Sequence, residues 1–337
     1  MDYQHRISWS PSTAPPAELP EGVQREFLQS PGGMLELLTS GPQWHEGYER
    51  VEKQPLLFIH GGFESAFDFS NYLQFFSSHG YSCYAPSLRG HGASYKLGFW
   101  SMYWASKHAL ALDVALVIAH IRSKHPNNVI IIGHSSGGGL AQYILDKDME
   151  KLGGLVTLAG TPGFGSFGVY LNWIRLDPWF LIRTCFKHFG HPRSPLSSTA
   201  LVHSAFFSRA FPLQEICEIE RMMPEYESMS WTVSMMTKFV SPERVIGSIL
   251  PTLKGGRRVL VVAGGEDKLM NGVIMQKLAA WYRVAWESVR GKSEEEVEES
   301  SEEVVRYGVV EGSGHHIMKD IAWEAGAEML LEWLQGR

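Results

Sequence analysis

Cysteine is scarce in this chain: three residues in 337, Cys83, Cys185 and Cys217. An odd and widely spaced set forms neither a disulfide framework nor a zinc ligand group, so reduced thiols in a cytoplasmic protein are the expected state. Positive charge is also in deficit. With 30 Lys and Arg against 36 Asp and Glu, the net charge of -6 offers no broad electropositive face, which argues against nucleic acid as a partner. The first twenty residues, MDYQHRISWSPSTAPPAELP, contain no apolar segment and are broken by prolines. Neither a secretory signal nor a membrane anchor is expected there, and no stable membrane insertion. Residues 1–21 are expected to form an arm that is disordered or laid on the surface. Nothing in the sequence bears on oligomeric state.

What is present is an ordinary globular composition, 44% hydrophobic and 20% charged, sufficient for one core and a long insertion. Residues 27–39 read as strand, Gly-containing turn and strand, an edge hairpin followed by a polar stretch over 41–54. From Pro55 onward, short apolar runs alternate with helical stretches, the pattern of a mostly parallel sheet covered on both faces. PLLFIH, YSCYAP, NVIIIGH, GLVTLAG, RRVLVVAG and VVRYGVVEG are the expected strands. Residues 105–124 carry Leu110, Val114, Val117, Ile118 and Ile121 at helical spacing, and further helices are expected over 140–146 and 321–334. The alternation breaks over 161–250, where aromatics and methionines crowd without a strand-like run. This predicts a helical cap inserted between two parts of the core, 22–160 and 251–337. The acidic run GKSEEEVEESSEE, residues 291–303, reads as a solvated flexible loop.

The chemistry concentrates at the ends of the predicted strands. NVIIIGHSSGGG places Gly133, His134, Ser135, Ser136 and Gly137 as a G-x-S-x-G match between a buried strand and a helix. A nucleophile at such a site sits on a sharp turn, and the flanking glycines let strand and helix approach closely. A hydroxyl needs a base to take its proton and a carboxylate to hold that base in the right tautomer. Asp267 follows one later strand and His315 the next, with adjacent Glu266 and His316 as rivals; Asp267 and His315 are preferred. Backbone N–H groups of Gly62, in LLFIHGGF, and of Ser136 could receive negative charge on a substrate oxygen. His60, His91 and His134 are expected to be structural, hydrogen-bonded to nearby backbone.

These segments resemble the α/β-hydrolase superfamily, particularly its lid-bearing esterase, lipase and lactonase-like members. SLRGHGAS also resembles the R-G-H-G-x-S turn of many such enzymes, with Ser87 standing where an acidic residue is often found. The resemblance implies an α/β-hydrolase fold and a carboxylic ester hydrolase with Ser135, Asp267 and His315 as catalytic triad, without cofactor or metal. Epoxide hydrolases and haloalkane dehalogenases of the fold use an aspartate where Ser135 stands and are disfavoured. A carbon–carbon bond hydrolase of secondary metabolism and a receptor-like member with little turnover are the alternatives. In the cap, apolar side chains suggest a hydrophobic small-molecule substrate, with Phe63, Trp173, Trp179, Phe207, Met223 and Trp231 as candidate contacts. The stretch 171–190 mixes aromatics with cations and could touch a membrane surface, but Pro178 interrupts it and a buried lid is expected.

Overall fold

The computed structural model describes residues 7–43, 52–290 and 300–337. Eight strands form one sheet: β1 (Gln24–Ser30), β2 (Gly33–Ser40), β3 (Leu56–Ile59), β4 (Cys83–Pro86), β5 (Ile130–His134), β6 (Gly154–Leu158), β7 (Val259–Gly264) and β8 (Val305–Val310). Their order is β1-β2-β4-β3-β5-β6-β7-β8. The edge hairpin β1–β2 and the β2–β4 pair are antiparallel, and every pair from β4 to β8 is parallel. This is the α/β-hydrolase architecture expected from the sequence. Strands β3, β5, β6 and β7 are buried at every position, as unbroken apolar runs should be when helices cover both faces.

The covering helices of the first half are α1 (Ser70–Ser78), α2 (Phe99–Tyr103), α3 (Lys107–Lys124) and α4 (Ser135–Asp146). Helix α3 starts where Ser106 accepts the Ala109 N–H, and its apolar stripe is buried as the spacing predicts. Helix α4 begins five residues before the expected 140–146. Its glycines lie inside the helix because close packing outweighs their low propensity: a Cβ on Gly137 would meet His60 O at 2.3 Å, and one on Gly138 would meet Gly160 Cα at 2.8 Å.

Between β6 and β7 the chain forms no strand. It folds instead into α5 (Phe167–Leu176), α6 (Phe180–Ile182), a π-helical turn (Arg183–Lys187), α7 (Thr199–Phe206), α8 (Leu213–Met222), α9 (Met229–Val233) and α10 (Pro242–Gly247). Helices α11 (Gly272–Arg290), α12 (Ser301–Val304) and α13 (Trp323–Gln335) complete the core. The arm is laid on the surface from residue 7 onward: the Trp9 ring packs 4.4 Å from Phe99 and 4.9 Å from His191, and Arg25 donates to Ala17 O. Residues 291–299 of the acidic run, and 44–51 of the polar stretch, lie outside the described residues. Among the described residues, no helix is long and apolar enough to cross a membrane.

Candidate active site

Strand β5 runs directly into α4 at Ser135, which takes φ = +48°, a left-handed conformation costly for a residue with a side chain. The surrounding glycines make that turn sterically feasible, since a Cβ on Gly133 would lie 2.6 Å from Gly138 Cα. The Ser135 hydroxyl lies 3.0 Å from His315 Nε2, and His315 Nδ1 lies 2.7 Å from Asp267 Oδ2. The other Asp267 oxygen accepts the N–H groups of Leu269 and Met270, which fixes the carboxylate. The loops after β7 and β8 interlock, because a Cβ on Gly264 would lie 2.1 Å from Gly314 O. Buried Asp320 secures the histidine loop by accepting from Gly314 N and Ser208 N.

The rival residues point elsewhere. Glu266 accepts the Arg209 N–H, and His316 turns inward, stacked 4.4 Å from Phe206 with Nε2 at 3.1 Å from Glu64. Gly62 N–H donates to Ser136 Oγ at 2.8 Å, so the two residues expected to receive negative charge are neighbours. The missing acid at Ser87 is supplied from β2: Ser87 Oγ donates to Glu36, which also accepts from Arg25 and Ala93.

Two further buried carboxylates beside the site escaped sequence reasoning. Glu64 accepts from Gly61 N and faces His134 Nδ1 at 2.7 Å, while His134 Nε2 donates to the His315 carbonyl. Burial disfavours charge on both, but their mutual attraction outweighs it, so Glu64 lies well below and His134 above the ordinary value. Glu227, from the insertion, accepts from Phe63 N at 3.0 Å and from His91 Nε2 at 2.8 Å. Burial again opposes charge and the pairing again overcomes it, lowering Glu227 and raising His91. Phe63 sits at φ = +63°, so a side chain of the insertion holds the loop after Gly62 in a strained conformation. No motif spacing connects Phe63 with a residue 164 positions away.

Glu64, His134 and His316 also form a set of metal-ligand types, their ligand atoms within 4.8 Å of one another. Their 2.7 and 3.1 Å contacts are hydrogen-bond separations, with Glu64 and His134 as the charged pair and His316 beside it.

Several buried histidines set a pH dependence. Burial, with His91 adding to it, pushes His60 down to about 4; burial pushes His191 down to about 4 and lowers His316. An unfolded histidine protonates near 6.5, so between 6.5 and about 4 the unfolded chain binds more protons and stability falls with falling pH. His91 and His134, being raised, contribute fully below 6.5 and lose that contribution as pH rises through their folded values. The melting temperature is therefore expected to peak close to neutrality and fall steadily from about pH 6.5 to about pH 4. Thermal melts across that range check this, and a flat acid limb would contradict it.

Above Ser135 lies a cavity of about 170 Å³, lined by Gly62, Ser135, Ser136 and His315 below and by the insertion above. That volume suits a group of about benzene size. Of the six expected contacts, Phe63 and Trp173 line it. The other four are corrected. Trp231 is fully buried in packing, Phe207 stacks on Phe211 at 4.2 Å, Met223 is buried away from the cavity wall, and Trp179 is 68% exposed. Phe206, one residue before Phe207, takes the lining position and stacks over His315. Successive residues at a helix end point in different directions, and composition does not reveal which faces the cavity.

Residues 56–327 match the family model described as Alpha/beta hydrolase family. The chain belongs to that family. It is 32% identical over 109 residues to a non-heme chloroperoxidase of Streptomyces lividans, covering 32% of this chain and 37% of that one. It is likewise 32% identical over 132 residues to a Haemophilus influenzae protein described as an esterase/lipase, covering 38% and 43%. The matched region thus spans less than half the length of either relative. Among solved structures, a thermophilic esterase from Thermogutta terrifontis superposes with a TM-score of 0.62 at 17% identity, covering 93% of this chain and 98% of that one. A serine hydrolase involved in carbazole degradation superposes at 0.59 and 17% identity, covering 94% and 100%. At such identities the likeness concerns the fold.

Proposed function

We propose that this α/β hydrolase is a serine hydrolase that cleaves an ester, thioester or lactone of a hydrophobic small molecule through an acyl-enzyme on Ser135. The hydrogen-bonded series Ser135–His315–Asp267 opening into an apolar cavity carries this reading. His315 Nε2 takes the Ser135 proton as Oγ attacks the carbonyl, and Asp267 holds the Nδ1–H tautomer and steadies the imidazolium. The backbone N–H groups of Gly62 and Ser136 receive the oxyanion, which competes with Ser136 Oγ for the Gly62 N–H. His315 then protonates the leaving group, and water attacks the acyl-enzyme by the same route. No metal or organic cofactor enters these steps. The helical insertion acts as the cap, supplying Trp173 and Phe180 as walls while Glu227 braces the loop that carries Gly62.

The test is a panel of p-nitrophenyl esters of increasing acyl length, with lactones and thioesters, run alongside labelling by a fluorophosphonate. Turnover and a single adduct on Ser135, located by mass spectrometry and lost in Ser135→Ala, are expected. Undiminished turnover in Ser135→Ala would overturn the proposal. An adduct without product release from any ester would favour a receptor-like protein.

A further inference from the structure

The insertion is apolar on both faces over 167–189. Trp173, Phe180 and Thr184 face the cavity. On the opposite side of α5, Phe167, Leu171 and Ile174 follow one another at i, i+4 and i+7, and all three are exposed. Beyond α5, Trp179, Phe186 and Phe189 are 68%, 78% and 79% exposed. Two polar side chains run the other way: Asn172 is buried, donating to Leu269 O, and Asp177 is buried against Arg183. A surface helix normally turns its polar residues to water, and one that reverses the pattern has its apolar side covered by something.

Charge identifies the covering. The chain as a whole is acidic, at -6, yet the single acid within 167–189 is the buried Asp177, whereas Arg175 and Lys187 are exposed. Exposed aromatic rings beside exposed cations suit the headgroup region of an anionic lipid layer, where rings enter the acyl boundary and cations meet phosphates. A second copy fits less well, because a self-complementary interface would bring the same cations together. The patch continues past its end. Tyr103 Oη lies 4.0 Å from where a Cβ would stand on Gly190, which sets α2, with exposed Trp100 and with exposed Trp104 just after it, beside the segment.

From these observations we infer that the outer face of the insertion docks the protein reversibly on an anionic lipid surface, with the roof of the cavity against the lipid. The same short segment carries the docking side chains outward and Trp173 and Phe180 inward, so an apolar substrate dissolved in lipid has a short route to Ser135.

Flotation of the full chain with vesicles of phosphatidylcholine, alone or with roughly a third phosphatidylserine, tests this directly. Wild type and Ser135→Ala are expected to float equally with anionic vesicles, and much less with neutral vesicles or at high salt. The double variant Phe186→Ser/Phe189→Ser is expected to lose at least about tenfold in vesicle partitioning, since two rings that would enter the lipid are removed. Its melting temperature should match wild type, as should its turnover of a water-soluble ester. Absence of vesicle binding, or binding unchanged in the double variant, would overturn the inference. So would a lipid-free dimer in sedimentation velocity that the double variant converts to monomer, which would assign the face to a second copy. Absence of ester turnover in the wild-type protein, with flotation retained, would count against the proposed hydrolase activity alone.

Discussion

Replacing Ser135 with alanine is expected to lower kcat by at least about 10⁴-fold, with the protein still folded. Ser135 Oγ is the group that must bond to the substrate, and His315 Nε2, 3.0 Å away, is positioned to take its proton. His315→Ala should cost nearly as much. The double variant should be hardly worse than either alone, because a nucleophile without its base and a base without its nucleophile are equally idle. His316→Gln supplies the contrast. That ring faces Glu64 and Phe206, away from Ser135, so turnover should stay within about tenfold of wild type while the melting temperature falls. Steady-state kinetics with one soluble ester, alongside thermal melts, distinguishes the two histidines. Comparable loss of kcat in both would remove the basis for assigning the base to His315.

Gly137→Ala is expected to be among the most damaging single-methyl changes in the core. The added carbon would lie 2.3 Å from His60 O and 2.5 Å from Ile59 O, both backbone atoms at the end of a central strand. Neither can yield without moving β3 or α4, and with them the geometry around Ser135. A cost of at least about 3 kcal/mol follows from overpacking of this kind, or failure to accumulate folded protein. Gly247→Ala is the control. This glycine is exposed at the end of α10 with nothing within 4 Å of its Cβ position, so alanine should be neutral or mildly stabilising. Urea melts of the two variants, compared with wild type, read the difference. Equal stability of both would mean that the strand-to-helix packing tolerates expansion.

The parts legible in the sequence share a physical cause. Strands β3 to β7 could be located because burial on both faces forces short apolar runs, and α3 because a sheet-covering helix needs an apolar stripe. Ser135, Asp267 and His315 stood out because each follows a strand that announces itself. Helix α4 was placed late because its glycines read locally as a loop, and only the approach of β3 and of Gly160 makes them necessary inside a helix.

By itself, the sequence determined the strand and helix periods, the α/β class and the chain positions at which polar residues meet the ends of buried strands, since local patterning encodes which faces are dry. Only the tertiary structure decided which neighbours meet: that Glu227 reaches Phe63 and His91, that Glu64 lies beside His134 and His316, and that Glu36 stands in for an acid at Ser87. It also decided that Phe206 rather than Phe207 faces the cavity, and that Trp179 and Phe186 face outward. An apolar side chain satisfies the hydrophobic effect equally in a core, a cavity wall or a lipid-facing surface, so composition cannot rank these destinations; the direction of each Cα–Cβ bond in the packed chain does.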